Sequence, residues 1–362
     1  MEGAGELVEG DDVPVADQAD AAVGVVDEEL GDRHLATGDQ LPVRGELRID
    51  VGLAGAFGAE LNEIVVALYE RDEAHQLQEL VAPAEGAGVE ADAGEAGIAI
   101  ETVSGSAAER FMRIGVINDD MPFLVDSIAT TLAAQGLTID RLVHPVLPVR
   151  RDADGVLIEI PEGDAAGEKR ESMVYIETRR ADAKLRRALE SALRATLADV
   201  RAAVVDWPKM QQAMADDADS LADGEGAALL RWFKDGMLTQ LGHVVRHRDG
   251  TQTGALGICR RGAKSLLGPI SYDRAFAWFE GKGRAKRGPL VVKSNHVSNV
   301  HRRTPLDLFI VPLFEGGKLE ALSVHAGIWT SAGLAAAPTQ VPRIRTQLSE
   351  LMARFGFAPQ GH

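Results

Sequence analysis

A single cysteine, Cys259, in 362 residues excludes an internal disulfide and any multi-cysteine metal cluster, as expected of a reducing compartment. Its setting, the strand-like run ALGIC, suggests a small buried residue. No apolar run approaches the roughly 18 residues of a membrane span, so no membrane partner is expected. The N-terminus MEGAGELVEGDD has neither the basic nor the apolar region of a signal peptide, and a cytoplasmic location is the default. Residues 1–92 contain no lysine and only two aromatics, Phe57 and Tyr69. A segment so poor in core-forming residues buries little and is expected to be disordered.

The charge is unevenly spread. Residues 1–92 carry 23 acids against 4 arginines, a net of −19, while the whole chain is at −17. The other residues are therefore close to neutral, at +2, and the acidic total says nothing about what they bind. Within the first segment LRIDVGLAGAFGAELNEIVVALYERD resembles the start of a dinucleotide-binding unit, but the fingerprint requires G-x-G-x-x-G. Here Gly52, Gly55 and Gly58 are spaced G-x-x-G-x-x-G, with Ala54 at the second glycine position. No cofactor site is assigned in this chain. A composition so different from that of residues 93–362 also fits a misplaced start or a frame error.

From Arg110 the signals agree. RFMRIGVIND reads as a strand, with Asp119 or Asp120 as N-cap and Pro122 near the first helical position, where a missing N–H costs nothing. Leu124, Ile128 and Leu132 follow at helical spacing and Gly136 stops the helix. LTIDRLVHPVLPVRR, VLIEI and ESMVYIETRR read as strands. A long helix then places Leu185, Leu189, Leu193, Leu197, Val200, Val204 and Trp207 on one face. The order β-α-β-β-α predicts an α+β fold of ferredoxin-like class, an antiparallel sheet with helices on one face. The expected organisation is an acidic segment over 1–92, this domain over 93–207, a polar linker over 208–225 and a second α+β unit over 226–362. That unit holds a helix around ALLRWFKDGML, five strand-like runs, and a last helix starting near Pro342 with Ile344, Leu348, Leu351, Met352 and Phe355 on one face.

Two clusters could bind something. The junction Asn118, Asp119, Asp120, Pro122 and Phe123 is a candidate effector-binding or helix-capping site, because a strand-to-helix junction exposes free N–H groups to a small anion. KSNHVSNVHRR brings Lys293, His296, His301, Arg302 and Arg303 together as a candidate anion or subunit contact. In a strand, His296 and His301 would face opposite sides, so no metal site is assigned. GKGRAKRG, residues 281–288, has four cations but no interleaved aromatics, and nucleic acid is not expected as a partner. No P-loop, G-x-S-x-G, H-E-x-x-H or paired-carboxylate pattern is present, and no catalytic residue is assigned.

INDDMPFLVDSIATTLAAQGLTIDRLVHPVLPVRRDADG resembles the N-terminal region of the large bacterial NAD-dependent glutamate dehydrogenases. ESMVYIET, ADVRAAVVDWPKM, LLRWFKDGMLTQLGH and KSNHVSNVHRRTPLDLFIVPL through HAGIWTSAG extend the resemblance over roughly residues 95–362, in order. It implies a non-catalytic ACT-like segment acting in assembly and possible allosteric control. The enzyme as a whole would oxidise L-glutamate to 2-oxoglutarate and ammonia with NAD, so this chain alone is expected to be inactive. Implied partners are the remainder of the dehydrogenase, other copies in a homo-oligomer, and a small amino-acid effector. ACT domains commonly hold an amino acid at an Asp-x-Pro-Gly-Leu loop; Asp120, Pro122 and Leu124 match it. Phe123 stands in place of the glycine, where it is expected to fill the pocket and leave a packing or subunit-contact module.

Overall fold

A computed structural model describes residues 96–103, 111–152, 157–161, 169–260, 266–281 and 288–356, all within one compact unit, Glu46–His362. The acidic segment 1–92, with its Gly52 to Gly58 stretch, and the basic part of GKGRAKRG lie outside the described residues.

The first sheet is built from β1 (Gly97–Val103), β2 (Phe111–Asp119), β3 (Ile139–Val143), β4 (Val146–Pro148) and β7 (Arg170–Arg179). Its order is β1-β2-β7-β3, with β4 also on β7, and every pairing is antiparallel. Counting β2, β3 and β7 as the first three strands of the βαββα pattern, the order is ferredoxin-like, 4-1-3-2. The fourth position is filled by β1, which precedes the pattern in the chain. A short hairpin, β5 (Arg150–Arg151) with β6 (Leu157–Glu159), elaborates the connection from β4 to β7.

Strand alternation divides the sheet's two faces. Met112, Ile114 and Val116 of β2 and Val174 and Ile176 of β7 pack under Leu124, Ile128 and Leu132 of helix α1 (Leu124–Ala134). Ile117 and Met173 point the other way, against Val149.

Helix α2 runs unbroken from Ala183 to Ser220, capped by Asp182, whose carboxylate accepts from Leu185 N at 2.7 Å. The polar stretch 208–220, expected to be a linker, is the last third of this helix. Pro208 does not end it, because the buried stripe continues through Met210, Met214, Asp217 and Ala218. The stripe also turns. Leu189, Leu193, Leu197 and Val200 face α1 and the first sheet, whereas Ala203, Asp206, Met210 and Met214 follow a course toward the second. Trp207, expected on the apolar face, is consequently half-exposed.

The second sheet has the order β10-β11-β12-β8-β9, again antiparallel throughout. Its strands are β8 (Leu238–His247), β9 (Gln252–Gly257), β10 (Leu290–Val297), β11 (Pro305–Glu315) and β12 (Lys318–Trp329), matching the five strand-like runs. Gly316 and Gly317, both at positive φ, make the two-residue turn between β11 and β12. Gly257 is also at positive φ, and a Cβ there would stand 2.1 Å from the Leu241 carbonyl oxygen, so β9 can end against β8 only with glycine. α3 (Gly224–Trp232), α4 (Pro269–Glu280, with Pro269 at its first turn), α5 (Ser331–Ala335) and α6 (Ile344–Arg354) complete the unit. The apolar face read for the last helix is present in α6, yet none of that helix's residues is buried. A single hydrophobic cluster runs from Ile114 and Ile128 through Leu193 and Val200 to Leu308 and Val324, so the two sheets share one core across α2. No helix among the described residues is long and apolar enough to cross a membrane.

Candidate functional site

The junction after β2 is not capped as expected. α1 begins at Leu124, its N-cap is Phe123, and no side chain bonds to its first turn from that position. Both acids are drawn backward. Asp119 accepts from Lys169 Nζ at 2.6 Å and from Arg201 Nη1 of α2 at 2.6 Å. Arg201 Nη2 donates to Asn118 Oδ1 at 2.6 Å. Asp120 accepts from Ser172 Oγ at 2.7 Å, while its N–H donates to the Arg170 carbonyl. Burial alone would raise the Asp119 carboxyl, but its bonds to Lys169 and Arg201 outweigh that and hold it below the usual carboxylate range. Pro122 lies one residue before the N-cap, two before the first helical residue. Phe123 has φ 73°, the left-handed region, so the position where the ACT-type loop has glycine keeps a glycine-like backbone while carrying a ring.

Part of the second candidate cluster meets that ring. His301, also left-handed at φ 62°, stacks on Phe123 with ring centroids 5.2 Å apart. Its Nδ1 lies 2.8 Å from Asp126 Oδ2, and its backbone N–H donates to Ser127 Oγ at 2.9 Å. The loop after β10 thus seats on the first turn of α1. Its neighbours are engaged separately. Lys293 pairs with Asp307 at 2.9 Å and, with Arg274 and Trp278, lines a cleft of about 300 Å³ between α4 and β10. His296 donates its backbone N–H to Ser294 Oγ, Arg302 donates to the Trp329 carbonyl, and Arg303 is exposed. Burial lowers the His144 imidazole despite the opposing charge of Asp120, and its Nε2 has no hydrogen-bond partner among the described residues.

A second constellation lies where no metal-ligand or catalytic spacing pointed. His243 of β8 and His325 of β12 are direct register partners, with ring centroids 4.8 Å apart. Asp217, from the last turn of α2, accepts from His325 Nε2 at 2.7 Å. Gln240 Nε2 lies 3.0 Å from His325 Nδ1, and Gln211 Nε2 donates to Gln240 Oε1 at 3.1 Å. His243 Nε2 is 2.9 Å from Ser323 Oγ, and its Nδ1 is 3.3 Å from the Gly254 carbonyl. All three titratable groups are buried, His325 completely. Burial, followed by the proximity of His325, pushes the His243 imidazole down, against the opposing pull of Asp217. The available sequence signal was inward-facing polar residues in apolar strands, Gln240 and His243 in β8 and Ser323 and His325 in β12. Their convergence with Asp217 depends on the topology.

Residues 107–193 match the family model described as the ACT1 domain of glutamate dehydrogenase, which covers β2 through the first turns of α2. The NAD-specific glutamate dehydrogenase of Halomonas elongata is 29% identical over 278 residues, and that of Pseudomonas aeruginosa 30% over 277. Each alignment covers 69% of this chain and 17% of the relative, so the chain spans about a sixth of their length. A solved structure of an RNA-binding light-oxygen-voltage receptor, 11% identical over 80% of this chain and 90% of its own, has a TM-score of 0.17, too low to bear on the fold. With the ACT1 match lying on the ferredoxin-like sheet, the family model and the two relatives together support the N-terminal region of an NAD-specific glutamate dehydrogenase.

Proposed function

We propose that this chain is a non-catalytic assembly and regulatory segment of a large NAD-dependent glutamate dehydrogenase, located in the cytoplasm. The whole enzyme would convert L-glutamate, NAD and water to 2-oxoglutarate, ammonium, NADH and a proton. In this reading 93–207 is the ACT-like domain and the part from 226 onward a second unit, with the remainder of the dehydrogenase and further copies of the chain as partners. The observation that carries it is the filled loop: Phe123 stands at the glycine position with His301 stacked on it, and Arg201 is committed to Asn118 and Asp119. A loop occupied in this way supports a packing module over an open amino-acid receptor. Hydride transfer needs a nicotinamide held against the substrate, a task this reading assigns to the remainder of the dehydrogenase.

The test has two parts. Purified chain incubated with L-glutamate and NAD is expected to produce no NADH, and calorimetric titration with each common amino acid is expected to give no heat. Turnover would overturn the non-catalytic reading. Stoichiometric binding of one amino acid would replace the packing module with a free-standing ACT-like regulator.

A further inference from the structure

The geometry points to Asp217, His243 and His325 as a binding site for one divalent transition-metal ion of the zinc class. Three donor atoms, one from each residue, lie within 4.8 Å of one another, and they come from three separate elements, α2, β8 and β12. This is the number and type of protein ligands that a two-histidine, one-carboxylate centre uses, and zinc takes such donors at about 2.0–2.2 Å. Two imidazole nitrogens select zinc, cobalt or nickel over magnesium and calcium, which prefer all-oxygen shells.

Charge balance supports the assignment. The Asp217 carboxylate is buried, and among the described residues its only ion-pair partner is His325. A buried carboxylate needs a compensating positive charge. A divalent cation beside the carboxylate would supply it.

The surroundings suit ligation as well. A ligating imidazole needs its other nitrogen held as a donor by an outer partner. His243 meets this condition: Nδ1 faces the Gly254 carbonyl, leaving the Nε2 lone pair free to accept, at present from Ser323 Oγ. His325 meets it after one rearrangement. With the Gln240 amide turned over, Oε1 accepts from Nδ1–H, and Gln211 can turn with it to preserve their mutual bond. The single proton of the His325 ring then sits on Nδ1 instead of Nε2, so Nε2 binds the ion with no proton lost from the residue. Asp217 Oδ2 and His325 Nε2, now 2.7 Å apart across that proton, must separate slightly to share a metal.

The test is titration of chelator-stripped, full-length chain with Co²⁺ and Zn²⁺. One equivalent of Co²⁺ is expected to bind with the intense visible bands of a four-coordinate site, and Zn²⁺ is expected to displace it. Removing the outer partner with Gln240→Leu should weaken binding by roughly 10–100-fold. Asp217→Asn and His325→Gln should weaken it at least as much, while Cys259→Ser and His296→Gln should leave it unchanged. X-ray absorption of the zinc-loaded wild type, which needs no variant to fold, should show two imidazoles and no sulfur. Absence of stoichiometric uptake by the folded wild type would overturn the assignment, as would a sulfur-containing shell or affinity unaffected by the Asp217 and His325 changes.

Discussion

Phe123 offers the sharpest test of how the α1 junction is built, because two opposing terms act at a single residue. A left-handed backbone costs a non-glycine residue about 1–2 kcal/mol. The ring is only partly buried, so it contributes about half the roughly 1.5–3 kcal/mol of a fully buried side chain. Its stacking on His301 adds about 0.5–1 kcal/mol. Phe123→Ala therefore loses about 1.5–2.5 kcal/mol with no relief of the backbone. Phe123→Gly loses the same contacts, recovers about 1–2 kcal/mol, and gives back about 0.5–1 kcal/mol to the flexibility of the unfolded chain. Glycine should thus be more stable than alanine by about 0.5–1 kcal/mol. The control is Phe123→Ser. At an ordinary extended N-cap serine equals or exceeds glycine, whereas at φ 73° it has no such advantage and should rank below glycine. Urea unfolding followed by far-UV circular dichroism, with midpoints compared at a common slope, measures all three. Serine at or above glycine would refute the left-handed assignment and restore the ordinary cap expected from NDDMP.

Arg201→Met removes two charge-assisted bonds and should cost about 1–3 kcal/mol. Because the Asp119 carboxyl is lowered in the folded state, its contribution is present above the ordinary value near 4 and is lost as pH falls through the lower folded value, so the variant's acid stability profile should be flatter. Leu193→Ala, at a fully buried position on α2, should cost about 2–5 kcal/mol and lower the unfolding of both sheets in one transition; separate transitions would contradict a shared core. His243 is lowered in the folded state, so the unfolded chain takes up its proton first and stability should fall once pH drops through about 6.5. His243→Gln should remove part of that slope in a pH series of urea midpoints.

Much of the architecture is legible in the sequence because it depends on local periodicity. The spacing of Leu124, Ile128 and Leu132 marks α1, and the strand runs from QLGHVVRHR to LEALSVHAGIW correspond to β8 to β12. Expectation and structure part where distant packing overrides a local signal. Asp119 and Asp120 are good capping residues, but Lys169, Arg201 and Ser172 compete for them from β7, its approach and α2. Pro208 and the acids after it suggest a linker, yet Met210 and Met214 find a sheet to pack on and the helix continues. β1 is not marked locally, because GIAIETV gains its meaning from the edge of β2. PISYDRAFAWFE forms α4, and both Pro269 at its start and the helical spacing of Tyr272, Ala275, Phe276 and Phe279 are local signals that could have found it. The metal-type cluster is hidden for a related reason: LLRWFKDGMLTQLGH ends at His243 and HAGIWTSAG begins at His325, but Asp217 lies 108 residues from His325 and nothing local shows that the three meet.

The way α2 connects these places bears on what regulation could mean here. Arg201 ties the helix to the loop before α1, Asp206 accepts the Gly257 N–H at the end of β9, and Asp217 reaches His325 in β12. Arg201 and Asp217 are 16 residues apart, roughly 24 Å along a continuous helix at 1.5 Å per residue. One rigid element therefore contacts both candidate sites, and its buried stripe belongs to the core shared by both sheets. An ion that fixes the last turn of α2 against β8 and β12 would restrict movement of the same helix that holds Asn118 and Asp119. Coupling between two sites must be reciprocal. If α2 transmits it, Arg201→Met should weaken metal binding at the buried cluster, and metal should increase the stability lost on that substitution by the same free energy. If metal affinity is unchanged by Arg201→Met, the two sites share a helix without sharing a function.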